Sequence, residues 1–235
     1  MNIRNMVIGD IHGNYKALLQ CFERSNFNYD EDTLIVLGDI HDGYPDAYEC
    51  AEELLKVKNL ILLRANHDDW VYNYFTKGSL EYIHLSQGGE ATVNSYRKHG
   101  IQDSHIKLLE TAVPYYVDDQ NRLFVHGGFN VDYPIDEQTI HDLTWDRTLI
   151  EYAYNCHHTK SCNIPKKLQV FNEIFLGHTT VEMYNSTLPL HLCNVWMLDT
   201  GCGFNGKLTI MDVDTHEFWQ SDRSDELYGP NQGRG

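Results

Sequence analysis

The chain has 235 residues, 42% of them hydrophobic, enough to bury one substantial core as a single domain. Its formal charge of −16, from 34 acidic against 18 basic residues, argues against a general binder of nucleic acid or anionic membrane, because both partners are polyanions. The six cysteines include no CxxC pair, the opening MNIRNMVIGD lacks the apolar run of a signal peptide, and the longest apolar runs, TLIVLG and NLILLRA, are too short to cross a bilayer. The expectation is a cytoplasmic protein with free thiols.

The first element is MVIGD, a buried-strand pattern closed by Gly-Asp, and YKALLQCFERS follows it with Ala17, Leu18, Cys21 and Phe22 at helical spacing. TLIVLGD is a second strand. The helix YPDAYECAEELLKV comes next, with Pro45 near its start and acids in its first turns. NLILLRANHDD is a third strand, and strands alternating with helices predict a largely parallel βαβαβ core. From Trp70 to about Thr111 the chain reads mostly helical. RLFVHGG, EIFLGHTT, VWMLDTG, KLTIMDVD and HEFWQSD are later strand candidates, and Asp132 to Lys167 reads as an inserted loop and helix. The fold class is therefore α/β, two sheet halves with helices outside. One domain is expected over residues 1–220, with a frayed tail over 221–235.

In such folds ligands collect beyond the carboxyl ends of the strands. GDIH, GDIHD, RANHD, VHGG, LGHTT and LDTG all fall there. One Asp or His after a strand is usually a turn residue or a cap, but that reading fails for the whole set. Asp10 and His12 stand two residues apart, so in extended backbone they project from one face and can grip one ion. Asp39 ends the neighbouring strand and can reach that ion with one oxygen and a second ion with the other. Asn66, His126 and His178 could complete the second ion's shell. Mixed imidazole and carboxylate ligands suit Mn2+, Fe or Zn better than calcium or magnesium. Two such ions acidify a bridging water and clamp the oxygens of an in-line displacement at phosphorus. His67, next to Asn66, is a natural general acid beside a leaving-group oxygen, with Asp42 holding its imidazole. GDIHGN and GDIHDG are thus not a repeat, since identical letters do different work.

The series GDIHG, GD-x-x-D from Asp39 to Asp42, NHD, HGG and GHT, in order and with plausible gaps, resembles the calcineurin-like metallophosphoesterases. Within them it is similar to the phosphoprotein phosphatase branch and the bacteriophage lambda type of protein phosphatase. The likeness runs from VIGDIHGN to LDTGCGFNGKLTIMDV. It implies a two-sheet β-sandwich flanked by helices, two divalent metal ions on Asp10, His12, Asp39, Asn66, His126 and His178, and His67 with Asp42 as the acid and its partner. It also implies phosphate-binding arginines at Arg64 and Arg147, whose forked donors suit phosphate oxygens. The substrate it points to is a phosphorylated protein at serine or threonine. Symmetrical hydrolysis of diadenosine tetraphosphate, a small phosphoester, is the close rival. A nucleic-acid phosphodiesterase and a catalytically dead metal-binding interaction protein are further from the residues. Thr180 in GHTT counts against the former, and the intact ligand set counts against the latter.

Three positions depart from that branch. Gly43 stands where it commonly has arginine, Ala65 replaces a glycine, and His41 occupies a usually apolar place. His41 either touches substrate phosphate in compensation or is a histidine with an ordinary hydrogen bond. Gly88 and Gly89 in SQGGE either let backbone approach a ligand or start a helix. CHHTKSC, Cys156 to Cys162, matches no standard zinc spacing and reads as a polar loop. His84, His99, His105, His141, His191 and His216 have no motif around them, and Trp70 reads as packing.

Overall fold

The computed structural model describes residues 3–159, 165–230 and 232–234. Its first sheet is built on β1 (Asn5–Ile8), β2 (Thr33–Val36) and β3 (Asn59–Leu62), parallel and in register at Asn5, Thr33 and Asn59. The second sheet takes β4 (Tyr116–Val117), β5 (Arg122–Val125), β6 (Glu173–Leu176), β7 (Leu190–Leu192) and β8 (Val195–Met197) in the order β4-β5-β6-β8-β7. The chain then returns to the first sheet. There β9 (Thr209–Asp212) pairs antiparallel with β1, and β10 (Phe218–Gln220) pairs with β9. The two-sheet α/β architecture expected from sequence is the observed one.

Each central strand buries both faces, which explains why it reads as a continuous apolar run. Val7, Ile35, Phe124 and Phe175 pack between the sheets, with the Phe124 and Phe175 rings stacked at 4.8 Å. The alternate residues Met6, Ile8, Leu34 and Val36 face the helices of the first layer, and Leu123, Val125, Ile174 and Leu176 face those of the second. In that first layer α1 (Tyr15–Ser25) buries the anticipated Ala17, Leu18, Cys21 and Phe22, and the Asn14 side chain caps it by accepting from Ala17 N at 3.0 Å. Helix α2 (Ala47–Leu54) follows β2. Helix α3 (Asn66–Lys77) follows β3, with Asp68 and Asp69 in its first turn and a left-handed Gly78 at its end.

Two places differ from expectation. The chain does not fray after residue 220: Ser221–Tyr228 packs on the body, with a helix at Ser224–Tyr228. Its anchors are polar. Ser224 Oγ donates to Cys202 O at 2.8 Å, Leu208 N donates to Ser221 Oγ at 2.9 Å, and Tyr228 OH donates to Asp46 Oδ2 at 2.6 Å. Such scattered hydroxyl contacts leave no periodic apolar signal. Cys156 lies within the helix Thr148–His158 rather than in a loop, while Cys162 lies outside the described residues. Among the described residues five cysteines are free, and no helix is long and apolar enough to cross a membrane.

Candidate metal centre

Five strand ends meet in one place. Asp10 and His12 follow β1, Asp39 follows β2, Asn66 opens α3 after β3, His126 follows β5 and His178 follows β6. Donor atoms of Asp10, His12 and Asp39 lie within 4.8 Å of one another, and so do those of Asp39, His126 and His178. Asp39 belongs to both groups. Its Oδ2 is 3.6 Å from His12 Nε2 and 3.5 Å from His126 Nε2, while Asn66 Oδ1 is 2.9 Å from His126 Nε2. All six side chains are buried. Four of the turn residues that aim these groups, His12, Asp39, Asp42 and His178, have left-handed φ between 49° and 68°. Non-glycine residues seldom adopt that conformation, and such strain gathers at functional sites.

The hydrogen bonds assign the tautomers. His12 Nδ1 donates to the carbonyls of His41 and Asp42 at 3.0 and 2.9 Å, and His126 Nδ1 donates to Leu37 O at 2.8 Å. Neutral imidazoles so held present their Nε2 lone pairs inward, as metal-binding histidines do. Asp10 Oδ1, Asp39 Oδ2 and His178 Nε2 are buried there with no hydrogen-bond partner. Buried polar atoms are nearly always partnered, so lone pairs converging without protons fit a cation. The charge balance agrees. Burial, with Arg234 beside it, pulls His12 down to about 3, and burial, with His126 and Arg147 near, pulls His178 down to about 2. Burial would raise Asp39, but His126, His67 and His12 around it hold it below the usual carboxylate range. Burial and the neighbouring Asp199 and Asp39 push Asp10 well up.

A second constellation borders the first. His67 Nδ1 is 2.8 Å from Asp42 Oδ2, and its buried Nε2 has no partner. The His67 and His12 rings lie 5.1 Å apart. His84, which has no motif around it in the sequence, is the other partner of Asp42: its Nε2 lies 3.1 Å from Asp42 Oδ1. The signal that could have found it is the glycine pair in SQGGE, because a Cβ on Gly89 would come within 2.3 Å of His84 Cδ2. Trp70 stands over both histidines, at 4.9 Å from His67 and 5.7 Å from His84, and Trp145 links Trp70 to His178. These indoles therefore wall the cluster. Asp199, from the LDTG strand end, is another buried acid beside Asp10 that sequence reasoning did not assign.

The arginines and His41 separate. Arg147 is exposed, makes no side-chain hydrogen bond among the described residues, and sits close enough to His178 to depress its protonation. Arg64 is held by Asp69, Nε to Oδ1 at 2.7 Å, in a surface cleft with Tyr72 and Glu110 rather than with the cluster. His41 does not reach the cluster either. It is fully buried, with Nδ1 2.7 Å from Asp68 Oδ1 and Nε2 3.3 Å from Tyr96 OH, so the substrate contact considered for it is replaced by a packing role. The turn that aims Asp42 at His67 and His84 sends its predecessor into the core.

Comparison with known proteins decides the family, for the profile of the calcineurin-like phosphoesterases matches residues 3–188. The chain belongs to that family. It is a hydrolase of phosphoesters, in a family that works with divalent metals. Its relatives include the serine/threonine-protein phosphatase 1 of Salmonella typhimurium, 24% identical over 88% of this chain and 90% of that one. Another is the asymmetrical bis(5'-nucleosyl)-tetraphosphatase PrpE of Geobacillus thermodenitrificans, 27% identical over 87% of this chain and 88% of its own length. A solved structure of a candidate diadenosine tetraphosphatase shares the fold, with a TM-score of 0.66, 15% identity and 92% of each chain covered.

Proposed function

We propose that the protein is a two-metal phosphomonoesterase acting on phosphoserine or phosphothreonine in proteins, in the cytoplasm, with Mn2+ as the favoured ion and Fe or Zn as workable ones. Asp10, His12 and Asp39 would hold one cation and Asp39, Asn66, His126 and His178 the other. Bound there, the pair would supply an activated water and charge neutralisation at phosphorus. The residues do the rest. Arg147 would orient a phosphate oxygen at the rim, and His67 would deliver a proton from Nε2 to the departing alkoxide. Asp42 would accept from His67 Nδ1 and so fix the ring's tautomer and aim. Trp70 and Trp145 would keep bulk water off the histidines. The observation that carries this reading is the set of unpartnered buried atoms: Asp10 Oδ1, Asp39 Oδ2, His178 Nε2 and His67 Nε2. Three await a cation and the fourth awaits a substrate oxygen.

A second reading has its own support, the resemblance to enzymes named as bis(5'-nucleosyl)-tetraphosphatases. Gly43, in the place of an arginine of the protein phosphatases, weakens the phosphoprotein reading more than it weakens hydrolysis itself. The test is a set of parallel rates with Mn2+ on a phosphopeptide, diadenosine tetraphosphate and bis-p-nitrophenyl phosphate. Preference for the phosphopeptide supports the first reading. Preference for the dinucleotide supports the second, two ADP marking symmetrical cleavage and ATP with AMP marking asymmetrical cleavage. Activity that persists in excess chelator, or in His12→Asn, refutes both.

A further inference from the structure

We propose that Arg234 is a phosphate-binding residue of this site, delivered through a slot that Gly43 leaves open. The inference rests on the phosphoesterase reading above. Gln232–Arg234 lies against the cluster, where Arg234 N donates to Gly203 O at 2.7 Å and the guanidinium lies over the Phe204 ring at 5.0 Å from its centroid. Beyond that anchor NH1 donates to His12 Nε2 at 2.9 Å and NH2 donates to Gln87 Oε1 at 3.0 Å. The arginine therefore ends on one of the residues around which the catalytic centre is built.

The slot consists of glycines. A Cβ on Gly43 would lie 3.3 Å from Arg234 Cγ, and one on Gly88 would lie 3.0 Å from the same carbon. Gly43 N donates to Gly88 O at 3.1 Å, and both glycines have positive φ, so the two backbones meet where a side chain at either would press on the arginine's stem. The position that lacks an arginine of its own is thus the position past which another arginine runs.

What Arg234 lacks points to an anion. Its partners at His12 and Gln87 are both neutral, no carboxylate pairs with it among the described residues, and its Nε is buried with no acceptor. Asp10, Asp39 and Asp199 lie near enough for its charge to lower their protonation, but none bonds to the fork. A guanidinium has five N–H donors and no lone pair, and a spare buried donor is costly unless an acceptor completes it. Phosphate oxygens match the fork. His12 Nε2 is also the atom assigned to a cation, so loading the centre would turn the fork from His12 toward the anion the cation attracts, while the backbone bond to Gly203 keeps residue 234 in place. Beside Gly43 and Gly88 opens a cleft of about 710 Å³, lined also by Ser86, Asn94, Lys98 and Gln232, with room for the rest of a substrate.

The test compares the Mn2+-loaded protein with Arg234→Ala and Arg234→Lys. Arg234 belongs to no core cluster, so both variants should fold. Calorimetry with inorganic phosphate, phosphate inhibition and p-nitrophenyl phosphate kinetics provide the readouts. The expected result is that KM, the phosphate inhibition constant and the phosphate dissociation constant rise together in Arg234→Ala by about 10- to 100-fold. The fall in kcat should be smaller, Arg234→Lys should be intermediate, and added ethylguanidinium should recover part of the loss in Arg234→Ala. Unchanged phosphate binding, or a variant that only needs less Mn2+ for half-activation, would overturn the proposal, since Arg234 would then merely compete for His12. If the wild-type protein binds Mn2+ and phosphate but hydrolyses no phosphoester, the phosphoesterase reading fails instead.

Discussion

His67 Nδ1 and Asp42 Oδ2 stand 2.8 Å apart with both side chains sealed from solvent, and the opposite nitrogen of His67 has nothing to bond. A histidine fixed at one nitrogen and idle at the other is set up to pass a proton outward. If it protonates the leaving oxygen, its value depends on how badly that oxygen needs the proton. His67→Asn should lower kcat on alkyl phosphates or phosphoserine peptides by about 100- to 10,000-fold. On p-nitrophenyl phosphate, whose phenolate leaves unaided, the loss should be far smaller. Equal losses on both substrates would remove His67 as the acid.

Asp42 is shared, because its other oxygen faces His84 Nε2 at 3.1 Å. Burial would raise Asp42, but the hydrogen bonds from His67 and His84 hold it below the carboxylate range. His84→Ala frees Asp42 to rotate and leaves one oxygen unpartnered in the core. Outer partners of this kind carry about 10- to 100-fold in activity, and the orphaned oxygen costs about 1–3 kcal/mol. Kinetics and urea denaturation measure the two effects separately. Lost stability with unchanged kcat would make His84 a packing residue only.

The legibility of the chain follows the same division between local and distant. The runs MVIGD, TLIVLGD and NLILLRA announce central strands because both of their faces are buried, and the donors at their ends are therefore visible at fixed offsets. Asp10, His12, Asp39, Asn66, His126 and His178 are singled out in this way, and their donor atoms do lie together. His84 and Arg234 reach the same space from segments with no strand before them, separated from their partners by 42 and 222 residues. No short-range pattern encodes such contacts. Left-handed turns are equally silent, since His41 and Asp42 are neighbours in sequence but face the core and the cluster respectively. Nor does the sequence announce the ion pair of Arg64, whose position after β3 matches expectation while Asp69, five residues on, holds its side chain.

Cation binding should show in stability before any substrate is added. The cluster is formed by residues from both sheets, so an ion that binds it ties the two halves together and binds the native state alone. At a concentration about 100 times the dissociation constant, linkage adds about 2.7 kcal/mol. For a domain of this size that amounts to a rise of about 5–10 °C in Tm, reversible by chelator. His178→Ala should abolish most of the shift. Equal Tm with Mn2+ and with chelator would show that the converging lone pairs hold no ion.

The pH dependence of that binding distinguishes which groups compete with the ion. His12 and His178 are held at about 3 and about 2, so neither carries a proton above pH 4 that a cation must displace. The carboxylates behave oppositely. Burial raises Asp199 to about 6, and burial together with Asp199 and Asp39 raises Asp10, so this pair retains a proton in mildly acid solution. Because its folded pKa is raised, Asp199 holds its proton below about pH 6 and releases it above, and Asp10 holds a proton beyond the usual carboxylate range. As far as the Asp199 proton sets it, cation affinity should be nearly flat from pH 7 to 8. Below pH 6 it should weaken by about tenfold per unit for each proton displaced. Calorimetry in buffers of different ionisation enthalpy counts those protons directly: close to one at pH 5.5 and few at pH 8. Asp199→Asn should move the onset of weakening to lower pH, because one of the repelling carboxylates is gone. An affinity that instead falls steadily between pH 7.5 and 6.5, the range of an ordinary histidine, would assign the competing proton to the imidazoles and contradict their tautomers.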